Sequence, residues 1–329
     1  MRWRALGFGV LVLAAGCNEG ASDEAVDAEQ PPAEQPSGCA SDDPLSRAAL
    51  EADIVALARP EMQGRAPGSA QDGLARTHIA DRFDCLELEA PEGEWEQPFV
   101  SDEGKSTANV IGILRGSDPD VRDEVIVIAA HHDHLGRDNA GVYAGANDDA
   151  SGIAVMLAAA AALTDRNTPP RRTIAFIAFG AEEEGFVGSE RFADDPPEGL
   201  AMDDIVFMLN LDMVGSYAQE DVLYGLNAFP GTPGNAALTE LAEDFPDLNL
   251  ELGDASDLSD HVTFCEAGVP TTFLWTSDEE CYHKPCDRPE RIDWVNTPRV
   301  AELTLALLED LADGERDLAT AREAGCGEP

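Results

Sequence analysis

Four strongly apolar runs constrain this chain more than anything else in it: Val125–Ala130, Thr173–Phe179, Ile205–Leu211 and Val269–Trp275. Each is long enough for a strand and too short for an ordinary helix. None alternates apolar with polar residues as a strand with one wet face would, so each must be covered on both sides. Helical periodicity fills the gaps between them, over Ser151–Leu163, around Ser189 to Ala193, and over Thr232–Phe245. Apolar strands alternating with helices predict an α/β fold, a largely parallel mixed β-sheet flanked by helices on both faces.

The remaining elements follow from weaker signals. Glu94–Val100 and Thr107–Leu114, split by Asp102-Glu103-Gly104, predict two strands ahead of the apolar runs, and Val222–Tyr224 an outer strand. Helices are expected from Asp43-Pro44 to about Ala58 and from Ser69 to Asp84, joined through the loop Gly64-Arg65-Ala66-Pro67-Gly68. A closing helix is expected from Pro298 towards Ala321, with Thr297 as its N-cap and Pro298 as its first helical residue.

The N-terminus reads as an export signal. Arg2 and Arg4 precede an apolar segment, Ala5 to Ala15, too short to span a bilayer comfortably. It ends in Leu13-Ala14-Ala15-Gly16-Cys17, which resembles the lipobox of bacterial lipoproteins, although Ala14 stands where leucine is usual. The resemblance implies lipidation of Cys17, and a membrane attachment by that anchor only. From Asn18 to Ser46 the chain has no basic residue, which predicts a self-repelling, disordered tether. The expected organisation is a signal peptide over 1–17, an acidic tether over 18–43 and one folded domain over 44–325, exported to the cell envelope and facing the periplasm or exterior. With 65 Asp+Glu against 21 Lys+Arg, no basic face is available for a nucleic acid, so that partner is excluded.

Export sets the reading of the cysteines. With Cys17 set aside, six remain, an even number that suggests disulfides in an oxidising compartment. Cys281 and Cys286 are close enough to close a small loop. Of the three pairings open to the other four, Cys39–Cys85 with Cys265–Cys326 is preferred. No Cys-x-x-Cys pair exists, so a thiolate zinc site is not expected.

Ligands of open α/β sheets bind beyond the carboxyl ends of the strands. The first apolar run leads into Ala130-His131-His132-Asp133-His134-Leu135-Gly136, which holds half of the six histidines. Next come Asn147-Asp148-Asp149-Ala150-Ser151-Gly152 at the head of a helix, and Ala181-Glu182-Glu183-Glu184-Gly185 after the second run. The third run ends in Asn210-Leu211-Asp212-Met213, and the fourth leads to Cys281-Tyr282-His283-Lys284-Pro285-Cys286-Asp287. Two imidazoles and three carboxylates, with a further glutamate, suit two metal ions if one carboxylate bridges them. Nitrogen and oxygen donors favour zinc, with cobalt or manganese possible. His132, His134, Asp149 and Glu184 are read as packing, helix-start or surface groups. Asp133, two residues past His131 on an extended chain, is placed to hydrogen-bond the imidazole's free N–H.

These motifs, in this order from about residue 105 to 295, resemble the two-zinc exopeptidase family of bacterial leucyl aminopeptidases and aminopeptidase Y, and more distantly glutamate carboxypeptidase II. The resemblance implies two zinc ions per chain, one held by His131 and Asp212, the other by Glu183 and His283, with Asp148 between them. It implies a water activated by two metals, Glu182 as general base and Tyr282 as the hydroxyl that steadies the oxyanion. The implied activity is an aminopeptidase acting on peptides with a free N-terminus, whose ammonium Glu182 and Asp212 would accept. A carboxypeptidase or dipeptidase of the same family, a single-zinc glutaminyl cyclase, and a non-catalytic binding relative stay open as alternatives.

Overall fold

A computed structural model describes residues 41–253 and 258–326. The expected signal peptide, Cys17, Cys39 and all but the last residues of the tether lie outside the described residues. Two helices come first. α1 spans Arg47–Ala58 and starts at Ser46, whose hydroxyl accepts from the Ala49 amide. Its start is later than Asp43-Pro44 suggests, because Asp43 is spent on a preceding turn: its carboxylate accepts from the Leu45 amide and its carbonyl from Ser46. α2 spans Ala70–Cys85 and is capped by Ser69, which accepts from the Asp72 amide.

The strands are β1 (Glu96–Val100), β2 (Ser106–Leu114), β3 (Val125–His131), β4 (Arg137–Asp138), β5 (Gly141–Val142), β6 (Thr173–Phe179), β7 (Ile205–Leu211), β8 (Leu223–Leu226), β9 (Leu250–Gly253) and β10 (Thr271–Trp275). β4 and β5 form a small ladder of their own, and the other eight make one sheet in the order β1-β2-β6-β3-β7-β10-β8-β9. The apolar runs form its middle, where β6, β3, β7 and β10 pair in parallel. β1, β2 and β8 add antiparallel pairings on either side. The mixed α/β sheet expected from the sequence is the one formed.

Helices cover both faces. α3 (Gly152–Thr164), α5 (Pro233–Leu241) and α7 (Thr297–Asp313) join α1 and α2 over one face, where Ile54, Ile153, Leu157 and Leu307 are fully buried. α4 (Val187–Asp194) and α6 (His261–Glu266) cover the other, where Phe179, Phe192 and Phe264 pack with ring centroids 5.8 to 6.2 Å apart. Such rings supply much of a core's apolar burial.

The closing helix departs from expectation at both ends. Thr297 is its first helical residue and not a cap, with its hydroxyl donating to the Asp293 carbonyl. It stops at Asp313, because Gly314 turns to an extended conformation, and α8 (Leu318–Ala324) restarts under an Asp317 cap. Cys265–Cys326 and Cys281–Cys286 are both bonded, as expected. The Cys39–Cys85 pairing reaches outside the described residues.

Candidate metal centre

Parallel pairing brings the carboxyl ends of β3, β6, β7 and β10 to one edge. His131 is the last residue of β3 and sits in register with Phe179 of β6. Asp148 comes from the turn that starts α3, Glu183 from the loop after β6, Asp212 from the residue after β7, and His283 from the loop after β10. All five expected ligands meet there. His131 Nε2 lies 3.2 Å from Asp148 Oδ1 and 3.6 Å from Asp212 Oδ1. His283 Nε2 lies 3.3 Å from Asp148 Oδ2 and 3.1 Å from Glu183 Oε2. Each oxygen of Asp148 therefore faces a different imidazole. His131 is 1% exposed and His283 37%, so the centre opens towards His283.

The atoms at this meeting point have no protein solution. His131 Nε2, Asp148 Oδ2 and Asp212 Oδ1 are buried without a hydrogen-bond partner. An unsatisfied buried polar group costs about 1–3 kcal/mol, so three converging ones fit a site that holds a cation. The electrostatics agree. Burial alone would lower the His131 pKa, yet Glu182, Asp212 and Asp148 together hold it well above its usual value. Burial, with Asp212 adding to it and His131 opposing it, pushes the Glu182 carboxyl well up. The cluster demands positive charge, and two divalent ions would meet that demand with nitrogen and oxygen donors that suit zinc.

Two further groups come near. Asp149 with His131 and Asp212, and His134 with Asp148 and Glu183, each bring donor atoms within 4.8 Å of one another. Asp149 is already committed: Oδ1 accepts from the Gly152 and Met213 amides at 2.8 and 3.1 Å, and Oδ2 from the His131 amide at 3.2 Å. It starts α3, as expected, but is wholly buried and not at the surface. His134 Nδ1 lies 2.6 Å from Glu183 Oε1, whereas His283 faces Oε2 of the same carboxylate. That contact was not legible from the two-residue alternation, because β3 ends at His131 and the period ends with it. His132 packs as expected, its Nε2 3.0 Å from the Ala108 carbonyl. Glu184 is not a free surface acid, since Lys105 Nζ donates to it at 2.7 Å.

Asp133 differs from expectation in what its carboxylate does. His131 Nδ1 faces the Asp133 backbone carbonyl at 3.2 Å, whereas the carboxylate stands 3.9 Å away. The carboxylate instead accepts from the Glu182 and Glu183 amides at 3.0 and 3.3 Å and so aims that turn. Burial pushes its pKa up to about 7 despite His131. Asp287 works the same way on the Asp148 turn, accepting from the Asn147 and Asp148 amides at 2.8 and 3.0 Å. Sequence reasoning gave Asp287 no role; its place just past Cys286 was the available hint.

Glu182 Oε2 stands 3.9 Å from His131 Nε2, beside the donors and buried with them. Tyr282 stacks on the His283 ring with centroids 3.9 Å apart and is half-exposed at the mouth. The Cys281–Cys286 bond closes the loop that carries both. Ala181, Met213 and His283 have φ of 57, 55 and 53°, left-handed values that cost a non-glycine residue of order 1 kcal/mol or more. His283 is an expected ligand, and Ala181 and Met213 adjoin the expected site residues Glu182 and Asp212, so strain is held where the chain must turn a side chain inwards. Next to Asp212 a cavity of about 200 Å³ is lined by Met213, Leu258, Phe273, Trp275 and Tyr282.

Comparison with known proteins agrees with this geometry. The chain matches the model of peptidase family M28 over residues 109–308. It is 31% identical over 232 residues to aminopeptidase YwaD of Bacillus subtilis, covering 67% of this chain and 48% of that protein. An aminopeptidase of Pseudomonas aeruginosa is 29% identical over 212 residues, covering 55% of this chain and 37% of that one. The chain thus spans half or less of the length of these curated relatives. The solved structure of BSAP, a zinc aminopeptidase from Bacillus subtilis, shares the fold with a TM-score of 0.69 at 20% identity, over 85% of this chain and 98% of that one. Two donor groups meet at Asp148 on this sheet, and with the match over residues 109–308 they lead to one conclusion: the chain belongs to peptidase family M28.

Proposed function

We propose that this chain is an exported aminopeptidase that uses two zinc ions to release single residues from peptide N-termini. The observation that carries the reading is Asp148, whose two oxygens face His131 and His283 separately. His131, Asp212 and Asp148 would hold one ion, and Glu183, His283 and Asp148 the other. Bound there, the ions would supply Lewis-acid polarisation of the scissile carbonyl and make water more acidic. Glu182 accepts the proton of the attacking water and returns it to the leaving amine. The Tyr282 hydroxyl, at the mouth, donates to the oxyanion as it forms. Asp133 keeps the Glu182 backbone fixed during this exchange.

Amine recognition follows from charge. Glu182 and Asp212 offer carboxylate oxygens to a substrate ammonium, while the arginines nearest the motifs are engaged elsewhere. Arg171 and Arg172 pair with Asp118 and Glu124, Arg291 with Asp278, Arg137 with Gln63, and Arg288 with the Pro285 carbonyl. A carboxypeptidase would need one of them for the terminal carboxylate. The apolar cavity beside Asp212 suits a leucine-, methionine- or phenylalanine-sized side chain. The relatives named aminopeptidases support the same reading.

The test is a panel of aminoacyl-anilides and N-acetylated peptides given to the full chain. Leucyl-, methionyl- and phenylalanyl-anilides should be cleaved, chelation should abolish turnover and zinc restore it, and N-acetylation should block it. Trimming of N-acetylated peptides from the C-terminus would overturn the aminopeptidase reading, and conversion of N-terminal glutamine to pyroglutamate would favour a cyclase.

The same proposal includes the organisation of the chain: a signal peptide over 1–17, a tether over 18–43, the catalytic domain over 44–325, and a lipid on Cys17 that fixes the enzyme to the cell envelope. The Leu13-Ala14-Ala15-Gly16-Cys17 segment supports it. Cys17→Ser should move the protein from the detergent phase to the aqueous phase on Triton X-114 partition. A Cys17→Ser chain that stays with detergent would sink the anchor.

A further inference from the structure

Arg65 is wholly buried, and among the described residues its guanidinium's hydrogen bonds go to backbone acceptors. It donates to four carbonyls: Nε to His132 at 2.8 Å, Nη1 to Leu57 and Ala144 at 2.9 and 2.7 Å, and Nη2 to Gly145 at 3.0 Å. His132 adjoins the ligand His131, and Gly145 lies three residues before Asp148. One rigid, planar group therefore joins the end of α1 to the two loops that carry the first two ligands. Leaving a buried cation on neutral carbonyls is expensive unless negative charge stands behind them. It does: burial lowers the Arg65 pKa, but Asp287, Asp148, Asp133 and Asp149 act against that.

The turn around Arg65 is built to hold it there. Arg65 has φ 49°, its amide donates to the Met62 carbonyl at 2.9 Å, and its own carbonyl accepts from His134 at 3.4 Å. Gly64 (φ 77°) accepts from the Gly136 amide, and a side chain at Gly64 would run into the carbonyls of Gly136 and Tyr143. A side chain at Gly145 (φ 61°) would collide with Arg65 itself and with His134. Both glycines are required by close approach as well as by φ.

We propose that Arg65 is the positioning residue that presets the spacing between the His131 and Asp148 loops, so that metal affinity depends on a turn lying ahead of the stretch matched by the family model. The proposal rests on the metal reading above. Arg65 touches no substrate and supplies no proton; it acts through backbone carbonyls. A lysine keeps the charge but, as a point donor on a flexible stem, cannot reproduce the planar fork.

The test uses the full chain, stripped of metal and titrated with zinc against a chromophoric chelator, with thermal unfolding recorded in the apo and zinc-loaded forms. Arg65→Met should weaken zinc binding at least tenfold and shrink the zinc-induced rise in Tm, since a ligand's stabilisation grows with the logarithm of its affinity for the folded state. Arg65→Lys should fall between Met and wild type. Met62→Ala, a buried change in the same turn, should lower Tm in both forms and leave zinc affinity unchanged. Wild-type zinc affinity in Arg65→Lys and Arg65→Met overturns the proposal, as does a Met62→Ala loss of affinity equal to theirs. Should Arg65→Met fail to fold, Arg65→Lys alone decides. A wild-type chain that binds no zinc sinks the metal reading, whereas a zinc-binding wild type with unaffected Arg65 variants sinks the Arg65 role alone.

Discussion

Glu182→Gln should lower kcat by about 10²- to 10⁴-fold, the usual worth of a positioned acid–base group, and leave the metal content unchanged. Glutamine has the shape of glutamate and can still accept a hydrogen bond from a substrate ammonium, but it cannot take a proton. The backbone that holds the residue is untouched, because Asp133 accepts from the Glu182 amide and not from its side chain. The loss should therefore appear in kcat, with KM little changed, when anilide hydrolysis is measured at saturating zinc. Metal analysis of the same preparation supplies the control. A Glu182→Gln enzyme within tenfold of wild-type turnover would remove the base assignment, and one that had lost its zinc would show Glu182 to be a ligand.

Asp148→Asn and His283→Ala should separate the roles of the shared and the single donors. Asp148 meets His131 through one oxygen and His283 through the other. Asparagine has one oxygen and no charge, so both donor groups lose a carboxylate arm together. Removing even a partner that only orients a ligand costs about 10- to 100-fold in metal affinity, and losing the shared ligand itself should exceed that for both ions. His283→Ala removes a donor only from the more exposed side. It should yield a protein with about one ion per chain, the remaining one held by His131, Asp212 and Asp148. Zinc content after gel filtration gives the comparison. Equal loss in the two variants would mean that Asp148 is not shared.

That the expected site residues would gather at one edge was legible in the sequence because His131, Glu183 and Asp212 closely follow apolar runs, and such runs are the least ambiguous signal a parallel sheet leaves. The rule that ligands gather beyond strand ends brought His131, Asp212 and Glu183 to one edge, and the family resemblance supplied their expected division between two ions. What lay hidden were contacts made where periodicity stops. His134 reaches Glu183 from irregular chain past His131, and Asp133 turned its carbonyl to the imidazole and its carboxylate to two amides. Left-handed Ala181, Met213 and His283 left no trace either, since glycine is the usual mark of such a turn and none of them is glycine. The closing helix ran too far because its apolar spacing continues past Asp313, whereas Gly314 ends it.

α1 packs against the Ala146–Ser151 turn and against α3, and the turn after it delivers Arg65 beneath the first two ligands. The match to the family model begins at Asn109, inside β2, so both lie upstream of that match. A fragment cut at that boundary would bring along every donor atom and leave behind the floor they stand on. The smallest transplantable unit of this centre reaches back to the Ser46 cap.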